Sequence, residues 1–456
     1  MLEQLAKAAI ARALKAELIS ASTRRLGVSP IEAVMIGAGN RATWSYGPYA
    51  LQHPNEIRFI AVAEPDPERR AHFASYHDIP PERQFASWED VVARPQMARA
   101  AVNCTQDRMH HASTLALLAA GYDVLLEKPI APTREECVAL VEAAERLGRT
   151  LQICHVLRYT PFFTALYDIV NSGRLGRIVT IDHRENVSYW HMSHSFVRGN
   201  WRNQALSAPM VLAKCCHDLD ILIWVMGQRV RRLSSFGSLA HYRAERAAEL
   251  SPEPIPARCT DGCPIEATCP WYAPRLYGAD IHQRSTLERF ETRGFMLTAA
   301  DMFNTLPEER WEKLKTSPYG RCVYRCDNDV VDHQTLNLEF QDGATCTFTM
   351  HGHSDREGRT LRWDGTRATL YGDFSEGRPF ALRIVDHGSL KEEVIHPAGD
   401  GSGHGGGDFG LMRDFVRALN GERTKHQTTA RVSLESHLLA FAAEDARREG
   451  RVITWA

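Results

Sequence analysis

Long runs of one charge are missing from this chain: 54 Lys and Arg stand against 56 Asp and Glu, a formal charge of -2 over 456 residues. Such a balance leaves no electrostatic footprint for nucleic acid or for an acidic membrane surface, so neither is an expected partner. Also missing is any window of about 18 or more uncharged apolar residues, the minimum for a membrane span. Apolar residues recur at helical spacing over 2–19, but Lys7, Arg12, Lys15 and Glu17 interrupt them, which rules out the apolar centre of a signal peptide. The pair Arg24-Arg25 lacks the apolar run of a twin-arginine signal, since Gly27, Ser29 and Pro30 follow. Residues 1–30 are expected to form an amphipathic helix and linker packed on the body or on a partner subunit, and the cytoplasm is the expected compartment. Disorder is excluded as well, because 44% hydrophobic content over this length supports a large core in two or three units.

What is present is a change of rhythm. Over 31–153, short β-rich runs (IEAVMI, IRFIAVAE, ARAAVNCT, DVLLE, TLQIC) alternate with helical segments at 45–52, 67–77, 110–120 and 134–147. The alternation predicts βαβ units, a parallel sheet and a doubly wound dinucleotide-binding domain over 31–156. Beyond Arg158 a helix at 162–171 precedes the runs RIVTIDHREN, TLNLEF, ATCTFTMHG, RTLRWDG, RATLYG and FALRIVD, with a further helix at 218–226. Turns such as Gln341-Asp342-Gly343 separate several of these, predicting a second α/β unit on a largely antiparallel open sheet over 157–456. Two closing helices are expected at 409–419 and 431–447, and an insertion at about 240–326.

After the first strand, Gly37, Gly39 and Ala42 fit G-x-G-x-x-[G/A]. The first glycine permits a tight turn, the second lets a pyrophosphate approach the backbone, and the third position keeps strand and helix close. The following helix start offers free amides and a positive dipole end to phosphates. Glu64 closes the second strand where a carboxylate can hold the adenosine ribose, which favours NAD, although Arg69 and Arg70 could neutralise the added phosphate of NADP.

Four stretches together, GAGNR at 37–41, NCTQDRMHH at 103–111, EKP at 127–129 and CHDLD at 216–220, resemble the Gfo/Idh/MocA family of glucose-fructose oxidoreductase, inositol dehydrogenase and their relatives. The resemblance runs from Ile31 almost to the C-terminus. It implies a Rossmann domain and an α/β domain whose open sheet commonly makes homo-oligomer contacts. It also implies NAD(P)-dependent chemistry on a secondary hydroxyl of a sugar, sugar derivative or cyclitol. Its motifs add Asn40, Arg41, Thr105, His110, Glu127 and Lys128 to the cofactor site. Lys128 would meet both the nicotinamide ribose and the substrate hydroxyl, and His217 would be the acid/base. Two positions depart from the pattern: Ala213 stands where many members carry an aspartate four residues before the histidine, and Gln106 replaces the usual proline after Thr105.

The residues themselves suit that chemistry. Removing hydride from a carbinol requires a base within hydrogen-bond reach of the hydroxyl, and a neighbouring cation stabilises the alkoxide. His217 and Lys128 fill these roles, and Asp220, three residues along, either orients the imidazole or forms a structural cap or buried pair. For the substrate, His155, Arg158 and Tyr159 follow the last Rossmann strand. Tyr189, Trp190, His191, His194, Arg198, Trp201 and Arg202 interleave rings and donors on one loop, and His404 in GSGHGGGD caps the cleft. Such a set suits a polyhydroxylated ligand, and its arginines suit an anionic one. In the insertion, Cys259, Cys263, Cys269 and either Cys322 or Cys326 have the make-up of a structural zinc site, the alternative being free thiols. Three functions fit: a net dehydrogenase, a redox-neutral NAD-dependent glycoside hydrolase or lyase working by transient oxidation and elimination, and a noncatalytic NAD-binding sensor.

Overall fold

The computed structural model describes residues 29–279, 294–300, 302 and 305–455; the helix expected at 1–30 lies outside these except for residues 29 and 30. Strands β1 (Ile31–Ile36), β2 (Ile57–Ala63), β3 (Gln84–Phe85), β4 (Ala100–Asn103), β5 (Asp123–Leu126) and β6 (Leu151–Ile153) form one sheet in the order β3-β2-β1-β4-β5-β6. Every pairing in it is parallel. Past Glu32, the apolar run Ala33–Ile36 of β1 is what a strand covered on both faces needs. Ala33 and Met35 enter one core cluster while Val34 and Ile36 enter the other, across the sheet. Strand order reverses beside β1, so the carboxyl ends of β1 and β4 open a crevice where such sheets bind ligands.

The second sheet holds β7 (Ile178–Ser188), β8 (Val230–Ser238), β9 (His333–Phe340), β10 (Thr345–Ser354), β11 (Gly358–Gly365), β12 (Ala368–Ser375), β13 (Ala381–Asp386), β14 (Glu392–Ile395) and β15 (Ile453–Thr454). Its order is β14-β13-β12-β11-β7-β10-β9-β8-β15, antiparallel except where β10 meets β7. Leu336, Leu338, Phe348 and Met350 point into the core and alternate with Asn337, Thr347 and Thr349, the period of a sheet covered on one face. The sequence reading passes over β8, because VRRLSSFGS offers only Val230 and Leu233 as buried apolar residues and pairs largely through its backbone with β9.

The chain then returns to the first sheet. Helix Gly407–Leu419 lies in the stretch assigned to the second unit, yet its Leu411, Met412, Phe415, Val416 and Leu419 belong to the same core as Ala33 and Met35. Helix Ala430–Glu449 places Ala430 and Leu434 on the opposite side of the parallel sheet and Leu439 and Ala443 in the second unit. Between the two helices, Ile153 N–H donates to the Thr428 carbonyl at 2.8 Å, extending the edge of β6.

Candidate active site

The glycine loop leaves β1 with Gly37 at φ +83, a conformation that disfavours any side chain, and a Cβ there would come within 2.8 Å of the Cys104 carbonyl oxygen. A Cβ on Gly39 would meet nothing within 4 Å, so that side of the loop is open. Ala42 is fully buried at the start of the helical turns Arg41–Tyr46 and Gly47–Gln52, while Asn40 is half-buried. Glu64 accepts from Ala38 N–H at 2.7 Å and Asp66 N–H at 3.0 Å, which brings the end of β2 against the loop. Arg70 donates to the Glu64 carbonyl and so is turned to the backbone. An open glycine cradle with a carboxylate at the end of the next strand fits a dinucleotide.

Arg41 does not reach outward for phosphate. Its Nε donates to Glu127 Oε1 at 2.7 Å, and Nη2 donates to the Tyr46 hydroxyl at 2.6 Å and to Asp408 Oδ1 at 2.8 Å. Burial pushes the Glu127 carboxyl up, but Arg41, Lys128 and the Tyr46 hydroxyl together hold it below its ordinary range. On the neighbouring strand end, Thr105 Oγ1 donates to Asn103 Oδ1 at 2.9 Å. The buried His110 ring lies between the carbonyls of Pro129 at 2.7 Å and Thr105 at 3.1 Å, so its role is to fix the segment carrying Lys128.

Lys128 Nζ donates to the Ala213 carbonyl at 2.8 Å. Where the family pattern supplies a carboxylate, a backbone oxygen therefore holds the ammonium in place. One turn on, His217 opens helix Cys216–Met226; it is buried, and its Nδ1 has no hydrogen-bond partner among the described residues. Burial drives its pKa well below the ordinary value, and Lys128, His155, Arg359 and His404 push the same way. The imidazole is thus neutral at neutral pH, the form that accepts a proton.

Asp220 takes the buried-pair alternative. Both its oxygens receive the Arg158 fork, from Nε and Nη2 at 2.6 Å each, so it does not orient His217. Arg158 is correspondingly locked and only 3% exposed, which corrects its assignment to the substrate. His155 stacks edge-on between His217 and His437, with ring centroids 5.5 Å apart in each case. Ile130 N–H donates to His437 Nε2 at 2.9 Å, so Nδ1 carries the proton given to the Ser433 carbonyl at 2.8 Å.

The aromatic loop divides. His194 Nδ1 lies 2.7 Å from the Tyr277 hydroxyl, and its ring stacks on Tyr319 at 4.7 Å. Arg198 is buried, donating to the carbonyls of Arg321 and Trp271 at 2.7 Å each. Arg202 pairs with Asp327 at 2.7 Å, and Trp201 Nε1 donates to Asp107 Oδ2 at 3.0 Å. These four hold the insertion and the adjoining loops, and with Arg158, Arg198 and Arg202 all committed, the expectation of an anionic substrate loses its basis.

His191, at the start of the loop, lies in the field of Lys214 and Lys128. His191 Nδ1 lies 2.9 Å from Glu357 Oε1, and Lys214 Nζ stands 2.8 Å from the same oxygen and 3.3 Å from Glu185 Oε1. Arg359 bridges Glu185 to Asp218, which also meets His183 at 2.9 Å. The sequence reading missed this charge box, since its members come from separate strands and a helix and share no spacing.

The thiols do not form the expected zinc site. Among the described residues no three His, Cys, Asp or Glu side chains are placed to hold a metal ion. Burial pushes the Cys269 and Cys322 thiols up to about 11 and about 12. Cys259 Sγ lies 3.8 Å from Arg198 Nη2, and Cys326 Sγ donates to the Cys322 carbonyl at 3.3 Å. They serve as packing groups around the buried guanidinium.

The model of an oxidoreductase family with an NAD-binding Rossmann fold matches residues 31–155, and that family's C-terminal α/β domain matches 168–454. The chain belongs to the Gfo/Idh/MocA family. Gfo/Idh/MocA relatives include the oxidoreductase YteT of Bacillus subtilis, 23% identical over 317 residues, 68% of this chain and 70% of that one. Inositol 2-dehydrogenase 2 of Saccharopolyspora erythraea is 34% identical over 133 residues, 29% of this chain and 36% of that one. The chain spans 36% of that protein's length and 52% of the inositol 2-dehydrogenase of Leifsonia xyli subsp. xyli. An Agrobacterium radiobacter oxidoreductase, solved with NAD+, L-tartaric acid and magnesium, shares the fold at TM-score 0.64 and 14% identity, covering 93% of this chain and 98% of that one. Among the described residues no helix is long and apolar enough to cross a membrane.

The buried histidines make stability depend on pH. Burial lowers His155 to about 4, against an opposing pull from Asp220, and lowers His194 and His437 to about 3. The unfolded chain protonates them near 6.5, so their contribution is complete above that pH and is lost as pH falls toward the folded values. Stability is expected to drop by at least about 2 kcal/mol between about pH 7 and pH 5.5, read from urea denaturation at the two pH values.

Proposed function

We propose that the protein oxidises a secondary hydroxyl of a neutral sugar, sugar derivative or cyclitol with NAD, His217 taking the hydroxyl proton and Lys128 stabilising the alkoxide. The observation that carries this is the neutral, buried His217 one turn beyond the carbonyl that anchors the Lys128 ammonium. When bound, NAD supplies the hydride acceptor, held by the open face of the glycine loop and by Glu64. The relatives named as inositol dehydrogenases support the substrate class. Mixing the protein and NAD with a panel of neutral polyols, and following absorbance of the reduced nicotinamide, tests the reading; product formed without reduced cofactor would count against it.

Glu64 is the basis for preferring NAD, because its carboxylate repels a 2'-phosphate. Glu64→Gln retains the side chain's shape and removes the charge. The preference for NADH over NADPH is expected to fall about tenfold, measured by fluorescence titration of the two reduced cofactors.

A second reading, the redox-neutral glycoside hydrolase or lyase, is favoured by His191. Glu357 orients this imidazole, and the Lys128 ammonium acts electrostatically on both His191 and His217. His217 would serve the hydroxyl and His191 would take the acidified proton next to the transient carbonyl. The electron pair of the broken C–H bond expels the aglycone, which leaves protonated. In the hydrolase, water adds across the resulting double bond, returning a solvent proton to the same carbon before the carbonyl is reduced again. Solvent deuterium should then appear at that carbon in a turned-over glycoside, and its absence would exclude this route.

A further inference from the structure

The glycine-rich segment 399–407 and the start of helix Gly407–Leu419 stand opposite the glycine loop, although some 360 residues separate them in sequence. Asp408 is buried, and its carboxylate takes the Arg41 guanidinium through Nη2 at 2.8 Å and Nη1 at 3.2 Å. Arg41 in turn grips Glu127, the residue before Lys128. One guanidinium therefore ties together the glycine loop, the segment carrying the active-site ammonium, and a helix from the far end of the chain.

His404 completes the contact. Its Nδ1 lies 3.1 Å from Asp408 Oδ1 and 3.4 Å from Arg41 Nη1, while its ring centroid is 6.4 Å from that of His217. The residue sits at φ +53, a left-handed conformation that costs a non-glycine residue about 1 kcal/mol or more. Around it the strap is folded tightly: a Cβ on Gly403 would fall 2.2 Å from Asp408 Oδ2. A strained histidine thus spans from the loop that would hold the pyrophosphate to the imidazole that would receive the substrate proton.

We propose that residues 401–408 form a third wall of the NAD site, in which Asp408 positions Arg41 against Glu127 and His404 closes the space between the glycine loop and His217. The cofactor then leaves only when the Arg41–Asp408 contact opens. Asp408 is a positioning residue, acting through Arg41. Burial raises its carboxyl pKa, but Arg41 and His404 outweigh this and keep it ionised, as the contact requires.

This rests on the NAD reading of the same cleft, and NADH release separates the two. Stopped-flow fluorescence of NADH displaced by excess NAD would give the release rate for the wild type, Asp408→Asn, Asp408→Ala, Arg41→Ala, the Arg41→Ala/Asp408→Ala pair, and His404→Gly. Asp408→Ala and Arg41→Ala are each expected to speed release about tenfold or more, and the pair to release no faster than either alone, since both break one contact. His404→Gly relieves the strain and opens the wall, so it should also speed release while the melting temperature holds. If Asp408→Ala does not fold, Asp408→Asn, close in shape and uncharged, carries the same test. Unchanged release in Asp408→Asn and His404→Gly, or multiplying effects of Arg41→Ala and Asp408→Ala, would overturn the proposal. A wild type that binds no NADH would overturn the cofactor reading itself.

Discussion

Lys128→Ala is expected to lower kcat by about 10²–10³-fold on whichever neutral polyol the wild type oxidises, the usual cost of removing a preorganised group that stabilises charge developing on oxygen. The ammonium is fixed before substrate arrives: its Nζ is held by the Ala213 carbonyl at 2.8 Å, and its strand end is fixed by Glu127 and His110. Little reorganisation is left for the reaction step, so the loss should fall on kcat more than on KM. Steady-state kinetics with saturating NAD provide the check, and a raised KM for the polyol in the variant with kcat intact would place Lys128 in recognition alone.

His217→Asn should cost about 10²–10⁴-fold in kcat, the range for losing a positioned general base. The sign of the pH dependence follows from the causes of its shift. Burial and then Lys128 disfavour the imidazolium, so wild-type kcat/KM should stay flat from neutral pH well into the acid range. Lys128→Ala removes one of the positive neighbours, raises the His217 pKa and moves the acid limb of the residual activity to higher pH. A limb that stays where it was, or moves down, would show that another group titrates.

Both arguments begin in features legible in the sequence. The parallel sheet could be read because its strands are buried on both faces and so appear as mostly apolar runs, and because helix and strand periods alternate at short intervals. The glycine loop and Lys128 could be read because each lies within a few residues of a strand end. What could not be read is pairing between distant segments. Asp220 carries no sign of Arg158, 62 residues earlier, so its two roles stay equal until the side chains are placed. Lys214, Glu185, Glu357, Arg359 and Asp218 look like scattered surface charges in sequence, yet they are packed into one buried box. The arginines of the aromatic loop show the converse. As residue types they suggest an anionic ligand, but their positive charge is spent on a carboxylate and on backbone carbonyls within the protein. The cysteines likewise have the composition of a metal site without its placement.

Helix Gly407–Leu419 carries a consequence for how the molecule is made. Its Leu411, Met412 and Phe415 complete the core beneath β1 that Tyr49, Phe59 and Phe73 begin, so residues 31–156 leave the ribosome with the part of that core filled by this helix still uncovered. That part stays uncovered while β7 to β14 are synthesised, and closes when residues 407–419 emerge. Completing the nucleotide-binding half is therefore a late event of biosynthesis, and a nascent chain stalled anywhere before residue 407 is a client for chaperones even though its Rossmann sequence is entire.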